Sequence, residues 1–240
     1  MKNCLIVRAG EGVSRAIARR FGSGGFRVGL ISRSCSNLKS LANDLIGAGV
    51  EACWETADAS DATELPNAIT LRTHQMGACD VLLDNAVVLR SGHPRSATAK
   101  IAANFEINVF SAHRAVSSVA PAMSERGQGA ILFTGGGLAL EPFPEWTSLA
   151  LGKAALRSLA VSLFNELSPK GIHGAVLAIC DIVKEVGPFD PDEIAKDYWR
   201  VATDPNRQAD REVVFQPDGT DPFCNDPERV QAAVSRLPTE

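Results

Sequence analysis

Two kinds of side chain in this sequence are placed for chemistry: those that would hold an anion and those that would move a proton. The first kind gathers in the turn Val7-Arg8-Ala9-Gly10-Glu11-Gly12-Val13-Ser14-Arg15, which follows the apolar run 4–7. Glycines between a strand and a helix let the backbone approach a pyrophosphate, whose charge the helix N-terminus stabilises. Such a turn is also an ordinary way to join a strand to a helix, so it leaves both readings open. Proton transfer needs a group of tunable pKa within hydrogen-bond reach of the reacting atom. Candidates follow three further apolar runs: Arg90 and His93, then Glu141, Glu145 and Ser148, then Cys180 and Asp181. Each also reads as a solvated loop residue, and Cys180 as a small buried hydrophobe.

These segments need a scaffold that brings them to one edge. Short apolar runs at 4–7, 28–31, 51–56, 81–83, 130–133 and 174–179 read as strands. Between them lie helical patterns. Val13, Ala16, Ile17 and Phe21 form one, and Leu38, Leu41 and Leu45 another, with Asn37 as its N-cap. Leu65, Ala68, Ile69 and Arg72 mark a third, and the stretches 97–123 and 148–167 are the longest. Strands alternating with helices imply an α/β fold: a doubly wound parallel sheet in three layers. Ligands then bind outside the carboxyl ends of the strands, where the candidate residues lie. No internal repeat or low-complexity linker divides the chain. Residues 1–183 are expected to form the nucleotide-binding domain, and the proline-rich 184–240, with a helical stretch at 192–203, its substrate lid and C-terminal tail.

The order and spacing of several segments resemble the short-chain dehydrogenase/reductase family over 1–183. Asp58-Ala59-Ser60 stands where the family has an aspartate by the adenine ring. Asp84-Asn85-Ala86-Val87 stands where it has Asn-Asn-Ala-Gly. Asn108 falls on its helix asparagine, Lys153 on the lysine of Tyr-x-x-x-Lys, and GIHGAVLAI on its sixth strand. The resemblance implies a Rossmann-like fold and a dinucleotide held by Arg8, Gly10, Gly12, Val13, Arg33, Asp58, Asn85, Ala86 and Lys153. The second strand ends Ile31-Ser32-Arg33-Ser34, with no acid for the ribose hydroxyls and a cation for a 2′-phosphate. That favours NADP(H) over NAD(H). Glu11 weighs against it, and Arg33 also reads as a solvated cation.

Departures from the family pattern bear on chemistry. Arg8 and Ser14 replace two glycines of the nucleotide turn. Arg8 either lies over the pyrophosphate as a charge-assisted contact or pairs with Glu11 and closes the turn. Leu149 stands four residues before Lys153, in place of the proton-donating tyrosine, and Gly136 stands in place of the serine. Ile179-Cys180 replaces Pro-Gly. Lys153 keeps a role at the nicotinamide ribose, or is a helix-surface lysine. Asn108 serves helix geometry and a water relay, or is a buried structural amide. The candidate catalytic set is therefore Lys153, Asn108, Asp181 and His93. The only tyrosine, Tyr198, lies in the expected lid helix, where packing is its expected role.

Composition narrows the function classes. The chain has 240 residues, 45% of them hydrophobic, with a net charge of −4, which excludes a disordered chain. No apolar run approaches the ~18 residues of a membrane span, and no secretory signal is visible. An acidic balance with scattered charges argues against nucleic acid. Six cysteines without a CxxC pair read as reduced thiols, so the expected location is cytoplasmic. No metal site is assigned. Alanines and leucines nearly all round 148–167 imply a homodimer or homotetramer. The leading expectation is NADP(H)-linked hydride transfer on a small organic carbonyl or imine. The alternatives are a non-redox cyclase, isomerase or dehydratase on the same scaffold, or a catalytically silent binding subunit.

Overall fold

The computed structural model describes residues 1–85, 94–95, 98–207 and 210–220. Its centre is a sheet of seven parallel strands: β1 (Lys2–Val7), β2 (Phe26–Ser32), β3 (Ala52–Thr56), β4 (Val81–Asp84), β5 (Gly129–Thr134), β6 (Ile172–Ile179) and β7 (Glu212–Phe215). Their spatial order is β3-β2-β1-β4-β5-β6-β7. The order reverses beside β1, which pairs Val7 with Ile31 of β2 on one side and with Asp84 of β4 on the other. That reversal opens a crevice at the carboxyl edge.

Alternation along each strand divides the core between two faces. Cys4 and Ile6 join the layer of α1 (Val13–Ser23), α2 (Cys35–Gly47) and α7 (Pro191–Thr203). Leu5 and Val7 join the layer of α3 (Glu64–Met76), α5 (Ser111–Arg126) and α6 (Thr147–Leu167). Every residue of β6 is buried, as a strand covered on both faces requires. The expected three-layer, doubly wound fold is present.

Two local expectations are corrected. Ser34, not Asn37, caps α2: its hydroxyl accepts from the Asn37 amide at 3.3 Å, and Asn37 lies inside the first turn. The stretch expected as one helix over 97–123 is α4 (Thr98–Phe105), a π turn (Glu106–Phe110) and α5. There the Asn108 amide donates to the Asn104 carbonyl at 2.9 Å, and the Ser111 hydroxyl donates to the Ile107 carbonyl. Side chains thus bond carbonyls within the helix, where a π turn widens the ladder.

Over 191–215, within the stretch expected as a lid and tail, the chain adds a helix and a strand to the fold. Pro191 opens α7 where a missing N–H costs little, and Asp190 caps it through the Asp192 amide at 2.7 Å. Ile194, Ala195, Tyr198 and Val201 then share one buried face. Trp199 meets Phe21 at 5.2 Å and Phe26 at 5.8 Å, ring edge to ring face, and the Arg20 guanidinium lies 5.0 Å from its ring. β7 follows and pairs with β6, Val213 beside Leu177. Among the described residues, no helix is long and apolar enough to cross a membrane.

Candidate functional site

The crevice is built from the ends of β1, β4 and β5. Val7 ends β1, and Arg8 follows with φ of 62°, the only described non-glycine residue in the left-handed region. The Arg8 backbone therefore keeps a conformation that a glycine would adopt without a steric penalty. Its guanidinium reaches the Ile107 carbonyl at 3.5 Å, on the π turn. Glu11 pairs with Arg15 at 2.9 Å, so the expected alternative of an Arg8–Glu11 pair is not what forms. Gly10 and Gly12 leave open space where a Cβ would stand, and Gly12 has φ of +73° at the N-cap of α1. No side chain caps this helix among the described residues, and its first turn carries no acid.

A hydrogen-bond chain crosses the crevice floor. The Thr134 hydroxyl, at the end of β5, gives its one proton to Asn85 Oδ1 at 2.8 Å. The Tyr198 hydroxyl, 2.7 Å from Thr134 Oγ1, must then be the donor in that pair. Asn85 Nδ2 donates to the Ser14 hydroxyl at 2.7 Å, and Ser14 to the Arg8 carbonyl at 3.5 Å. Ser14 thus ties the turn to the floor. Tyr198 is packed as expected but also bonded, and its phenol is pushed up by burial and by the charge of Asp84, against the Thr134 bond.

Lys153 reaches the same place from α6. It is 4% exposed, and its Nζ donates to the Thr134 carbonyl at 2.7 Å. A buried residue on the sheet side of α6, it is not a helix-surface lysine. Burial pushes its ammonium down to about 7, with Asp84 acting to raise it and Arg8 to lower it. Asp84 itself is 1% exposed. Leu149, one turn before Lys153 on α6, is buried, and Gly136 lies in the turn after β5.

The other expected residues divide by position. Asn108 is fully buried behind this floor, and Gly152 lets α6 approach it: a Cβ there would lie 3.3 Å from Asn108 Nδ2. Asn104 donates to the Ser148 hydroxyl, which donates to the Lys100 carbonyl at 3.3 Å. Asp58 lies at the far end. Burial would raise its carboxyl, but the Ser60 hydroxyl and amide, with Arg33 and Arg8, hold it below its ordinary value. Arg33 is exposed. Asp181 accepts from its neighbouring Ile182 amide at 2.6 Å and lines a cavity of about 280 Å³ with Lys184, Phe189 and Thr220. Ala86, Arg90 and His93 lie outside the described residues.

Three residues of the cluster escaped the sequence reading: Asp84, Thr134 and the bonded Tyr198. Asp84 carried one signal, an acid at the end of an apolar strand run. Thr134 and Tyr198 meet only because α7 packs back under the crevice.

Comparison with known proteins accords with this geometry. The family model described as short chain dehydrogenase matches residues 2–183. A short chain dehydrogenase of Pseudocercospora fijiensis is 26% identical over 193 residues, covering 79% of this chain and 62% of that protein. Dehydrogenase/reductase SDR family member 4 of Sus scrofa is 28% identical over 179 residues, covering 74% and 64%. The chain thus spans a little under two thirds of the length of these two relatives. Among solved structures, a metagenomic short-chain oxidoreductase in complex with NADP superposes with a TM-score of 0.82 at 26% identity, covering 90% of this chain and 96% of that one.

Proposed function

The chain belongs to the short-chain dehydrogenase family, and from that premise we propose that it binds NADP(H) and transfers hydride to or from a small organic carbonyl compound. The observation that carries this reading is the uncapped N-terminus of α1 beneath the open Gly10–Gly12 turn, with Arg8 beside it. An uncapped helix start leaves amide donors and a partial positive charge for a phosphate. Gly10, Gly12 and Val13 would line the pyrophosphate, with Arg8 as a charge-assisted partner. Asn85, Ala86 and Lys153 would line the nicotinamide half, and Asp58 the adenine. Arg33, with no acid at the end of β2, supports the 2′-phosphate, and the Glu11–Arg15 pair removes the objection from Glu11. When bound, the cofactor supplies the hydride.

Local charge favours a carbonyl over an imine. Two cations, Arg8 and Lys153, face one carboxylate, Asp84, and an iminium would add a third positive charge. A carbonyl oxygen gains negative charge as hydride arrives, which this field stabilises. The test is a thermal shift with NADPH, NADH and buffer, followed by NADPH oxidation with panels of carbonyls and cyclic imines. A ligand at a hundredfold excess over Kd adds about 2.7 kcal/mol, several degrees in a chain of this size. No shift with NADPH overturns the binding reading, and turnover of imines alone overturns the carbonyl reading.

A second reading, binding without turnover, is favoured by Leu149 and Gly136, which put no hydroxyl where the family places two. Binding of NADPH with no oxidation across both panels selects it. Activity without nucleotide selects a non-redox enzyme. Exposed Phe110 and Leu151 support the homo-oligomer reading, tested by light scattering. Free thiols at Cys4, Cys35, Cys53, Cys79 and Cys180 support a reducing, cytoplasmic setting.

A further inference from the structure

Thr134 ends β5 and is 2% exposed, with bonds to three other segments. Its carbonyl accepts from Lys153 Nζ of α6 at 2.7 Å. Its hydroxyl lies 2.7 Å from the Tyr198 hydroxyl of α7 and 2.8 Å from Asn85 Oδ1 after β4. The chain of bonds then runs to the nucleotide turn, from Asn85 Nδ2 to Ser14 Oγ at 2.7 Å and from Ser14 to the Arg8 carbonyl at 3.5 Å. Such a chain has a direction, because a hydroxyl holds one proton and an amide accepts at one end and donates at the other. Tyr198 is 1% exposed, and Thr134 Oγ1 is its one side-chain hydrogen-bond partner among the described residues. The Thr134 proton therefore goes to Asn85, which turns its oxygen to β5 and its nitrogen to α1. Ser14 accepts from that nitrogen, so its own proton is left for Arg8. The reverse direction would bury a phenol proton without an acceptor, which disfavours it by about tenfold or more.

We propose that Thr134 is a positioning residue for the nucleotide turn: its hydroxyl orients the Asn85 amide, and through Asn85 and Ser14 it holds the Arg8 carbonyl. That carbonyl heads the turn. Bonded to Ser14, which is fully buried, it is committed inward. Released, its negative end is free to face a phosphate at the turn where Gly10 and Gly12 leave open space. Without the Thr134 hydroxyl, the two orientations of Asn85 differ by little more than the long Ser14–Arg8 bond. In the flipped orientation Ser14 donates to Asn85 Oδ1, and the Arg8 carbonyl loses its donor. Dinucleotide affinity then falls with the fraction of molecules that keep the carbonyl bound. That last step rests on the nucleotide reading above, whereas the orientation of Asn85 and Ser14 does not. Lys153 is held through the Thr134 backbone, so a change of the Thr134 side chain leaves its acceptor in place.

The test compares Thr134→Val, which keeps the shape and removes the hydroxyl, with Thr134→Ser, which keeps the hydroxyl. One readout is hydrogen exchange of peptides covering residues 8–14 in the nucleotide-free protein, by mass spectrometry. The other is NADPH affinity by calorimetry. Thr134→Val should speed exchange over 8–14 and weaken NADPH binding about threefold, and Thr134→Ser should restore both. Adding Thr134→Val to Ser14→Ala should change neither readout further, because Thr134 acts through Ser14. Additive losses in that double variant, unchanged exchange in Thr134→Val, or a Thr134→Ser no better than Thr134→Val overturns the positioning role. If Thr134→Val does not fold, Thr134→Val with Tyr198→Phe takes its place, since it leaves no phenol proton without an acceptor. If the parent binds no NADPH, the nucleotide reading fails by itself, and exchange over 8–14 still decides whether Thr134 holds the turn.

Discussion

At the scale of single residues, the crevice is a set of trade-offs between charge and burial. Lys153 lies in the core with its ammonium pushed down to about 7 from an ordinary 10.5. Above pH 7 the unfolded chain keeps that proton while the folded chain releases it. Stability therefore rises with pH from about 7 upward through this group, toward the unfolded value. Lys153→Met should remove that slope. Urea midpoints of parent and variant at pH 7 and 8.5 should converge on the higher side of the window relative to the lower. Tyr198 offers a smaller and cleaner case. Tyr198→Phe removes one donor to Thr134 and leaves the ring's packing, so it should cost about 1 kcal/mol in denaturant unfolding. A loss of 3 kcal/mol or more would show that the hydroxyl holds the floor together. Arg8→Gly should relieve the left-handed backbone, worth on the order of 1 kcal/mol, and weaken NADPH binding. Equal affinity in parent and variant would place the guanidinium away from the phosphates.

Elements explain how much of this was legible in the sequence. The six strands from β1 to β6 and the helices between them follow from apolar runs and spacing. Their buried residues contact one layer or the other, as strict alternation dictates. β7 was not legible. Glu212-Val213-Val214-Phe215 is four residues long and lies among prolines, too short for a period to show. α7 was legible as a helix but not in what it packs against, because amphipathic spacing fixes which face is buried and not its partner. Arg8, Asn85 and Lys153 could be named from spacing, whereas the bond from Tyr198 to Thr134 exists only when α7 docks. The docking contact can be tested at Gly24, where a Cβ would lie 2.1 Å from the Trp199 ring. Gly24→Ala should force the ring aside and cost about 1–3 kcal/mol, with a shift in tryptophan emission. An unchanged melting temperature would show that α7 sits loosely.

For the whole molecule, the matched family region and the folded unit are different lengths. The family model ends at residue 183, yet the layer beside α1 is completed by α7 and the sheet by β7. A detachable lid could be removed with the core left standing. Here, a chain ended after Asp190 would uncover Phe21 and Phe26, and would lose Tyr198 from beneath Thr134. We expect that truncated chain to lack a cooperative thermal transition, and a sharp transition near the parent's would refute this.

The aromatic contact of Phe21 and Phe26 with Trp199 joins segments far apart in the sequence, and that sets a timetable for synthesis. The first βα unit leaves the ribosome with its apolar face complete but its cover unmade. At roughly 5–20 residues per second, the wait for α7 is on the order of ten seconds or more. During that interval the nascent N-terminal half offers a sticky surface to chaperones and to other chains. A substitution that weakens Trp199 would therefore reduce the yield of newly made protein more than it reduces the melting temperature of protein already folded.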